Sequence, residues 1–290
     1  MGTTRVEWPT LALLAGTYAV WMGALWLPVW AAVPILAWVI AQHASLIHEA
    51  IHGHPFRSAR LNALAVAPPL TLLIPYARFR DTHLAHHRDA TLTDPFDDPE
   101  SNYLCSARWN SLPGPVRALL RLNNRLAGRV LVGPAVGLVT FALDEWRAGD
   151  GRAWAAHLPW AAGVLAVVWV APLPVWAYLL AVYGALGLLK IRTFLEHQAH
   201  EHAAARSVII EDRGPLALLF LNNNLHVVHH MHPDVPWYRL PALYRANAAR
   251  YLGRNGNYRY RSYGEVFRSY LWRAKDPVAH PLWHREDVPQ

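Results

Sequence analysis

Residues 8–47 and 153–189 contain no Asp, Glu, Lys or Arg. A helix that crosses a bilayer needs roughly 20 mostly apolar residues, so each stretch has room for two. Proline divides both, at Pro28 in the first and at Ala171-Pro172-Leu173-Pro174 in the second. The pattern predicts four transmembrane helices, about residues 11–27, 29–47, 154–170 and 175–189, paired as two tight hairpins. Trp26, Trp30, Trp154 and Trp176 stand near the predicted ends, where an amphipathic indole suits the membrane–water interface.

Two weaker apolar stretches are left over. Residues 61–77 are uncharged but broken by Pro68, Pro69 and Pro75, and residues 130–143 are too short to cross unaided. Either could lie along the interface or dip into the membrane and return. Between and after the hairpins the sequence predicts helix over 81–89, an acidic turn over 93–101 and a continuation of the fourth span over 192–202. A last helix is predicted over 222–232, stopped by Pro233.

Composition agrees with a membrane protein. Only 16% of the 290 residues are charged, against roughly 25% in a soluble domain, while 53% are hydrophobic. That apolar content excludes disorder, and a single cysteine, Cys105, excludes a disulfide scaffold. The net charge of +7 raises nucleic acid as a partner, but every Lys and Arg lies outside the two hairpin turns. Under the positive-inside rule the basic segments, both termini included, face the cytoplasm. The charge is thus a topology signal, with anionic lipid rather than nucleic acid as its partner. The expectation is an all-α integral membrane protein with one domain over residues 1–290. It has four spans in two hairpins and a cytoplasmic helical cap made of segments 48–152 and 190–290.

Seventeen histidines supply the chemistry. His48-Glu-Ala-Ile-His52 ends the second span, His83-Leu-Ala-His86-His87 follows it, and His226-Val-Val-His229-His230 comes after the fourth. A looser group, Glu196-His197-Gln-Ala-His200-Glu-His202, lies just beyond the last span. Residues three or four apart share a helix face, so each cluster presents its imidazoles together. At this histidine content about 0.06 HxxHH matches are expected by chance, and two occur. Neutral imidazole binds Zn, Cu, Ni and Fe. Eight clustered ligands, with His197 a ninth, exceed the needs of one tetrahedral ion and fit two metals better. His43 and His157 read as hydrogen-bonded packing residues within spans. His54, His202 and His232 are neighbours of the clusters rather than ligands, and His280 and His284 have no role.

In order and spacing, HEAIH, HLAHH and HVVHH resemble the three histidine boxes of the membrane fatty acid desaturase superfamily, which also holds hydroxylases, carotenoid oxygenases and alkane monooxygenases. Phe194-Leu-Glu-His197 is similar to the segment that supplies an extra histidine ligand in that superfamily. Asn222-Asn223-Asn224-Leu225-His226 resembles the third box of bacterial acyl desaturases. The resemblance implies two non-haem irons held by His48, His52, His83, His86, His87, His197, His226, His229 and His230, with O2 as co-substrate. It implies desaturation of a lipid acyl chain or, as an alternative, hydroxylation of an alkyl or carotenoid substrate. Glu49, Asp89, Glu196, His200 and Asn222 are candidates to orient these ligands from behind. With no CxxC pair for an iron–sulfur domain, the electrons are expected from a separate ferredoxin-, rubredoxin- or cytochrome b5-like protein. The expected location is the bacterial inner membrane.

His48-Glu49-Ala-Ile-His52 also satisfies HExxH, the zinc-protease motif. An intramembrane metalloprotease would use two of these histidines and leave both HxxHH clusters without purpose. A bis-histidine haem carrier or a metal transporter would place its histidines within the spans, whereas these lie at the cytoplasmic ends and beyond.

Overall fold

The structure, a computed structural model, describes residues 6–87, 89–149 and 151–283 (Asp89 by its backbone alone). It is almost entirely helical. Helices α1 (Trp8–Ala24) and α2 (Val29–Ile51) form one hairpin, turned at Pro28, which has no amide hydrogen to continue a helix. Short helices α3 (Ala59–Ala65) and α4 (Tyr76–His86) follow, and then α5 (Ser106–Ser111), α6 (Gly114–Asn123), α7 (Leu126–Leu131) and α8 (Gly133–Ala148). The second hairpin is α9 (Gly151–Val170) and α10 (Val175–Thr193). Beyond it lie α11 (Pro215–Leu219), α12 (His226–Met231) and a two-residue parallel pairing of β1 (Ile209–Ile210) with β2 (Arg259–Tyr260).

Among the described residues three helices, α2, α9 and α10, are long and apolar enough to cross a membrane. The predicted first span is a helix of 17 residues, somewhat short for that role. The second runs past its predicted end to Ile51, because His48-Glu49-Ala50-Ile51 contains no helix breaker; Gly53, at φ +95°, then turns the chain. Three expectations need correction. The α10 helix ends at Thr193, so residues 194–202 form a loop in which His197 bridges to Ser207, rather than more helix. Helix begins only at His226, because Leu221 and Asn222 both take left-handed conformations that no α-helix accepts. The helix predicted over 81–89 lies instead over Tyr76–His86.

The main core is packed between α2, α9 and α10, around Leu36, Ile40, Tyr178 and Ala181. The proline-broken segment between α3 and α4 dips among these helices and returns. Leu70 within it is fully buried. Its carbonyl accepts a 2.7 Å hydrogen bond from the Tyr178 hydroxyl, near the end of α10 remote from the histidines. That hydroxyl accepts in turn from Trp21 Nε1 at 3.2 Å, and His157 Nε2 donates to the Leu72 carbonyl at 3.0 Å. Irregular backbone surrounded by apolar helices needs such donors, because no water is at hand to satisfy its carbonyls. His43, within α2, is likewise bonded to the Tyr18 hydroxyl at 2.9 Å.

The C-terminal residues act as a strap. Leu104 donates to the Val278 carbonyl and His280 donates back to the Leu104 carbonyl. The Lys275 amide reaches the Asn124 carbonyl, and the Tyr103 hydroxyl donates to the Asp276 carboxylate. The strap thereby fixes the end of the acidic loop 93–104 against α6.

Replacing Tyr178 by Phe leaves the buried Leu70 carbonyl without a partner, at a cost of about 1–3 kcal/mol. The expected result is a lower thermal unfolding midpoint for the detergent-purified variant. An unchanged midpoint would mean that the dipping segment is not held by this bond.

Candidate metal centre

Nine histidines converge where α2, α4, α12 and the loop after α10 meet. They form two groups: His48, His52, His83, His87 and His229, and His86, His197, His226 and His230. Within each group one nitrogen per ring lies within 4.8 Å of every other. Helical spacing explains the division. In each HxxHH cluster the i and i+4 rings join one group while the i+3 ring, turned away by 60° on the helix, joins the other. His86–His87 and His229–His230 therefore send neighbouring rings to different groups and lock the two side by side. The rings of His87 and His230 stack across the division, with centroids 4.3 Å apart.

The ring nitrogens converge on one another more closely than their protons can satisfy. His83 Nδ1 faces Glu100 Oε1 at 3.0 Å and must carry the hydrogen there, because a carboxylate only accepts. His83 Nε2 lies 3.0 Å from both His52 Nε2 and His87 Nε2. His226 Nδ1 faces the Asn223 side-chain oxygen at 3.0 Å, turning its Nε2 toward His197 Nε2 at 3.0 Å. His48 Nε2 and His229 Nε2 are buried with no hydrogen-bond partner among the described residues. Two ligands at right angles on an ion about 2.1 Å from each are separated by about 3.0 Å. The residues present thus fit metal ions, one for each group, with an all-nitrogen donor set of the kind that iron, zinc, copper and nickel accept.

Electrostatics points the same way. Burial first, and the neighbouring imidazoles second, hold His197, His226 and His229 well below the ordinary imidazole range and push His52 down to about 2. These rings are neutral at physiological pH, the state a metal requires. His86 is the exception. Burial works against its charge, but the carboxylates of Glu100 and Asp98 outweigh it and raise the ring to about 9. A proton on His86 Nε2, 2.9 Å from His197 Nε2, occupies the place of a cation in the second group.

The acids that orient the ligands come from the acidic loop, to which spacing assigned no role. Asp98 Oδ1 accepts from His86 Nδ1 at 2.7 Å, and Glu100 takes His83. Asp98 is itself pinned by the amides of Thr93 and Glu100. Ser207 Oγ lies 3.2 Å from His197 Nδ1, while the strap's Lys275 ammonium donates to the His197 carbonyl. The sequence carries a hint of this only in the acidity of Asp97-Asp98-Pro99-Glu100, because the partners are brought together by the loop and not by helical spacing.

Other expected supports differ. Glu49 Oε2 accepts the Trp237 amide and lies 4.0 Å from His48 Nδ1 only by its other oxygen. Glu196 pairs with Arg192 at 2.9 Å and approaches His226 Nδ1 to 3.8 Å. His200 does not face either group: the helix has already ended, and its Nδ1 accepts the His202 amide. Asn222 also points elsewhere, donating to the Trp237 carbonyl, since its left-handed backbone breaks the helical register with His226; Asn223 takes the place expected of it. The Asp89 side chain lies outside the described residues.

A protein-family model described as fatty acid desaturase matches residues 7–262. A beta-carotene ketolase of Paracoccus sp. (strain N81106 / MBIC 01143) is 30% identical over 260 residues, covering 80% of this chain and 91% of that one. A second beta-carotene ketolase, of Paracoccus sp. (strain PC1), is 28% identical over 265 residues, covering 83% and 94%.

Two metal ions per chain are expected in elemental analysis of the purified protein. Asp98→Asn or Glu100→Gln should weaken binding by about 10–100-fold. Metal loading of the stripped protein at pH 7 should release a proton from His86, and none above its pKa of about 9, because only the neutral ring can ligate. Titration in weakly buffered solution reads this directly, and release that persists unchanged at pH 10.5 would rule out His86 as its source.

Proposed function

Because the chain belongs to the fatty acid desaturase family, and so to the oxidoreductases of the desaturase and hydroxylase superfamily, we propose that it oxidises unactivated C–H bonds of a long carotenoid-type hydrocarbon with two non-haem irons and O2. The observation that carries the substrate reading is a cavity of about 400 Å³ between α2, the dipping segment, α9 and α10. Leu64 and Trp160, both exposed, stand at its outer end with Ala63 and Ala67, where a membrane-dissolved molecule can enter from the side. Its charged lining residues, Glu100, Lys190 and Arg192, belong to the segments that approach the metal centre. Of the Lys and Arg residues described in its lining, Lys190 and Arg192, the second is already paired with Glu196. The similarity to two beta-carotene ketolases over nearly their whole length supports the same reading.

Five imidazoles would hold one iron and four the other; bound and reduced, such ions supply the O2 activation that an inert C–H bond demands. The chain supplies the rest. Glu100, Asp98, Ser207 and Asn223 aim the rings, and the burial of most of the nine histidines keeps bulk water from a strong oxidant. The apolar cavity brings the substrate carbon toward Glu100, which is hydrogen-bonded to His83. Each hydroxylation consumes one O2, two electrons and two protons and yields the alcohol and one water. The electrons come from a separate donor protein, and the Arg-rich cytoplasmic surface suits an acidic one.

The proposed topology has α1, α2, α9 and α10 all crossing a bacterial plasma membrane, with the histidines and both termini on the cytoplasmic side. In this arrangement residues 1–290 form one domain.

Expression in a bacterial host that already makes β-carotene tests the function. The wild type should yield carotenoids that carry new oxygen, and His229→Ala none, although the variant still reaches the membrane. A new fatty-acid double bond with no carotenoid product would instead support acyl desaturation. An absence of either product from an iron-loaded protein given an electron donor would sink the proposal.

A further inference from the structure

A second cavity, about 660 Å³ and more polar, lies on the other side of α10 and is lined by Asp98, Tyr103, Arg129 and Asp276 among others. It shares a wall with the apolar cavity: Ile74, Phe79, Glu100, Lys190 and Thr193 line both. Two polar groups in that wall are idle. Lys190 ends an otherwise uncharged stretch of membrane helix, where an ionisable residue marks a functional position. Its side chain lies against α8, whose Gly133 and Gly137 leave room for it: a Cβ at Gly137 would come within 3.2 Å of Nζ. Arg192, two residues on, is paired with Glu196. Among the described residues no hydrogen bond or ion pair engages the Lys190 ammonium, and its charge interactions are only the longer-range ones with Arg129, Glu100, Glu196 and Arg192. Thr193, one turn along the same helix face, has a buried hydroxyl with no partner among the described residues.

We propose that Lys190 and Thr193 form an oxygen-binding subsite that holds the hydroxyl or carbonyl group of an oxidised substrate where the two cavities meet. The inference rests on the reading of the apolar cavity as the substrate's. A hydrocarbon offers these donors nothing, so they are idle when it binds. Once oxidation installs an oxygen, that atom is buried among apolar groups and costs free energy unless it is hydrogen-bonded. Lys190 Nζ donates in either protonation state, and the Thr193 hydroxyl can donate beside it. The pair therefore retains the alcohol more firmly than the starting hydrocarbon, and favours a second oxidation at the same carbon over release after the first.

The test compares three ligands of one skeleton, β-carotene, its ring alcohol and its ring ketone, by quenching of tryptophan fluorescence in the full-length detergent-purified protein. The wild type should bind the alcohol and ketone roughly tenfold more tightly than the hydrocarbon, the size of one hydrogen bond to a charged donor. That ratio should fall to about one in Lys190→Met and to an intermediate value in Thr193→Val. Circular dichroism establishes that each variant is folded, and either variant alone suffices. In the β-carotene-producing host, Lys190→Met should shift the products from ketone toward alcohol. A wild-type ratio near one, or a preference that survives both substitutions, overturns the subsite. If none of the three carotenoids binds, the substrate reading fails on its own, and a long-chain alkane, alcohol and ketone compared in the same way decide the subsite.

Discussion

Nine imidazoles crowded nitrogen against nitrogen, in a largely buried site, form an arrangement that repels itself. Protons cannot relieve it everywhere, because burial and mutual repulsion hold most of these rings neutral. Cations can. The rest of the structure is the means of keeping the rings in so unfavourable a posture: helical register delivers them, consecutive histidines interlock the two groups, and hydrogen bonds behind the rings forbid them from turning away. Polar groups of this density are stable only when each has its partner, and the acidic loop supplies the partners that helices cannot.

That division of labour also explains what could be read from the amino-acid order. Histidines at i, i+3 and i+4 announce a shared helix face, and all eight in the three clusters fall into the two groups, which His197 joins from a loop. Two charge-free stretches announce two hairpins. Asp98 and Glu100 were not legible as orienting groups, because their contacts depend on how a loop folds back over α4, for which no periodicity exists. Asn222 and His200 failed for the converse reason. Counting along a helix points to each, but neither lies on one: Asn222 has a left-handed backbone, and His200 follows the end of α10. Spacing is informative only while the periodic element lasts. The dipping segment was ambiguous in the same way, since three prolines remove the period and leave only hydrophobicity; Tyr178 and His157 resolve it by satisfying its carbonyls.

Membrane and metal centre are joined through α10. Its apolar length faces the core and the cavity, its last turn carries Lys190, Arg192 and Thr193, and His197 follows directly after it. A small change of tilt in this helix would move the cavity wall and a ring of the second group together. In the proposed reaction substrate shape and metal geometry would therefore be coupled through one rigid element.

The histidines of the five-membered group come from residues as far apart in sequence as 48 and 229, and they lie on both sides of the second hairpin. An ion bound there would be a cross-link between distant parts of the chain, closing loops as a disulfide does in secreted proteins that this reduced, single-cysteine chain cannot imitate. No fragment that lacks either hairpin's attached histidines could assemble the full set. Metal occupancy would then double as a certificate of completed folding, granted only to molecules in which every segment has found its place.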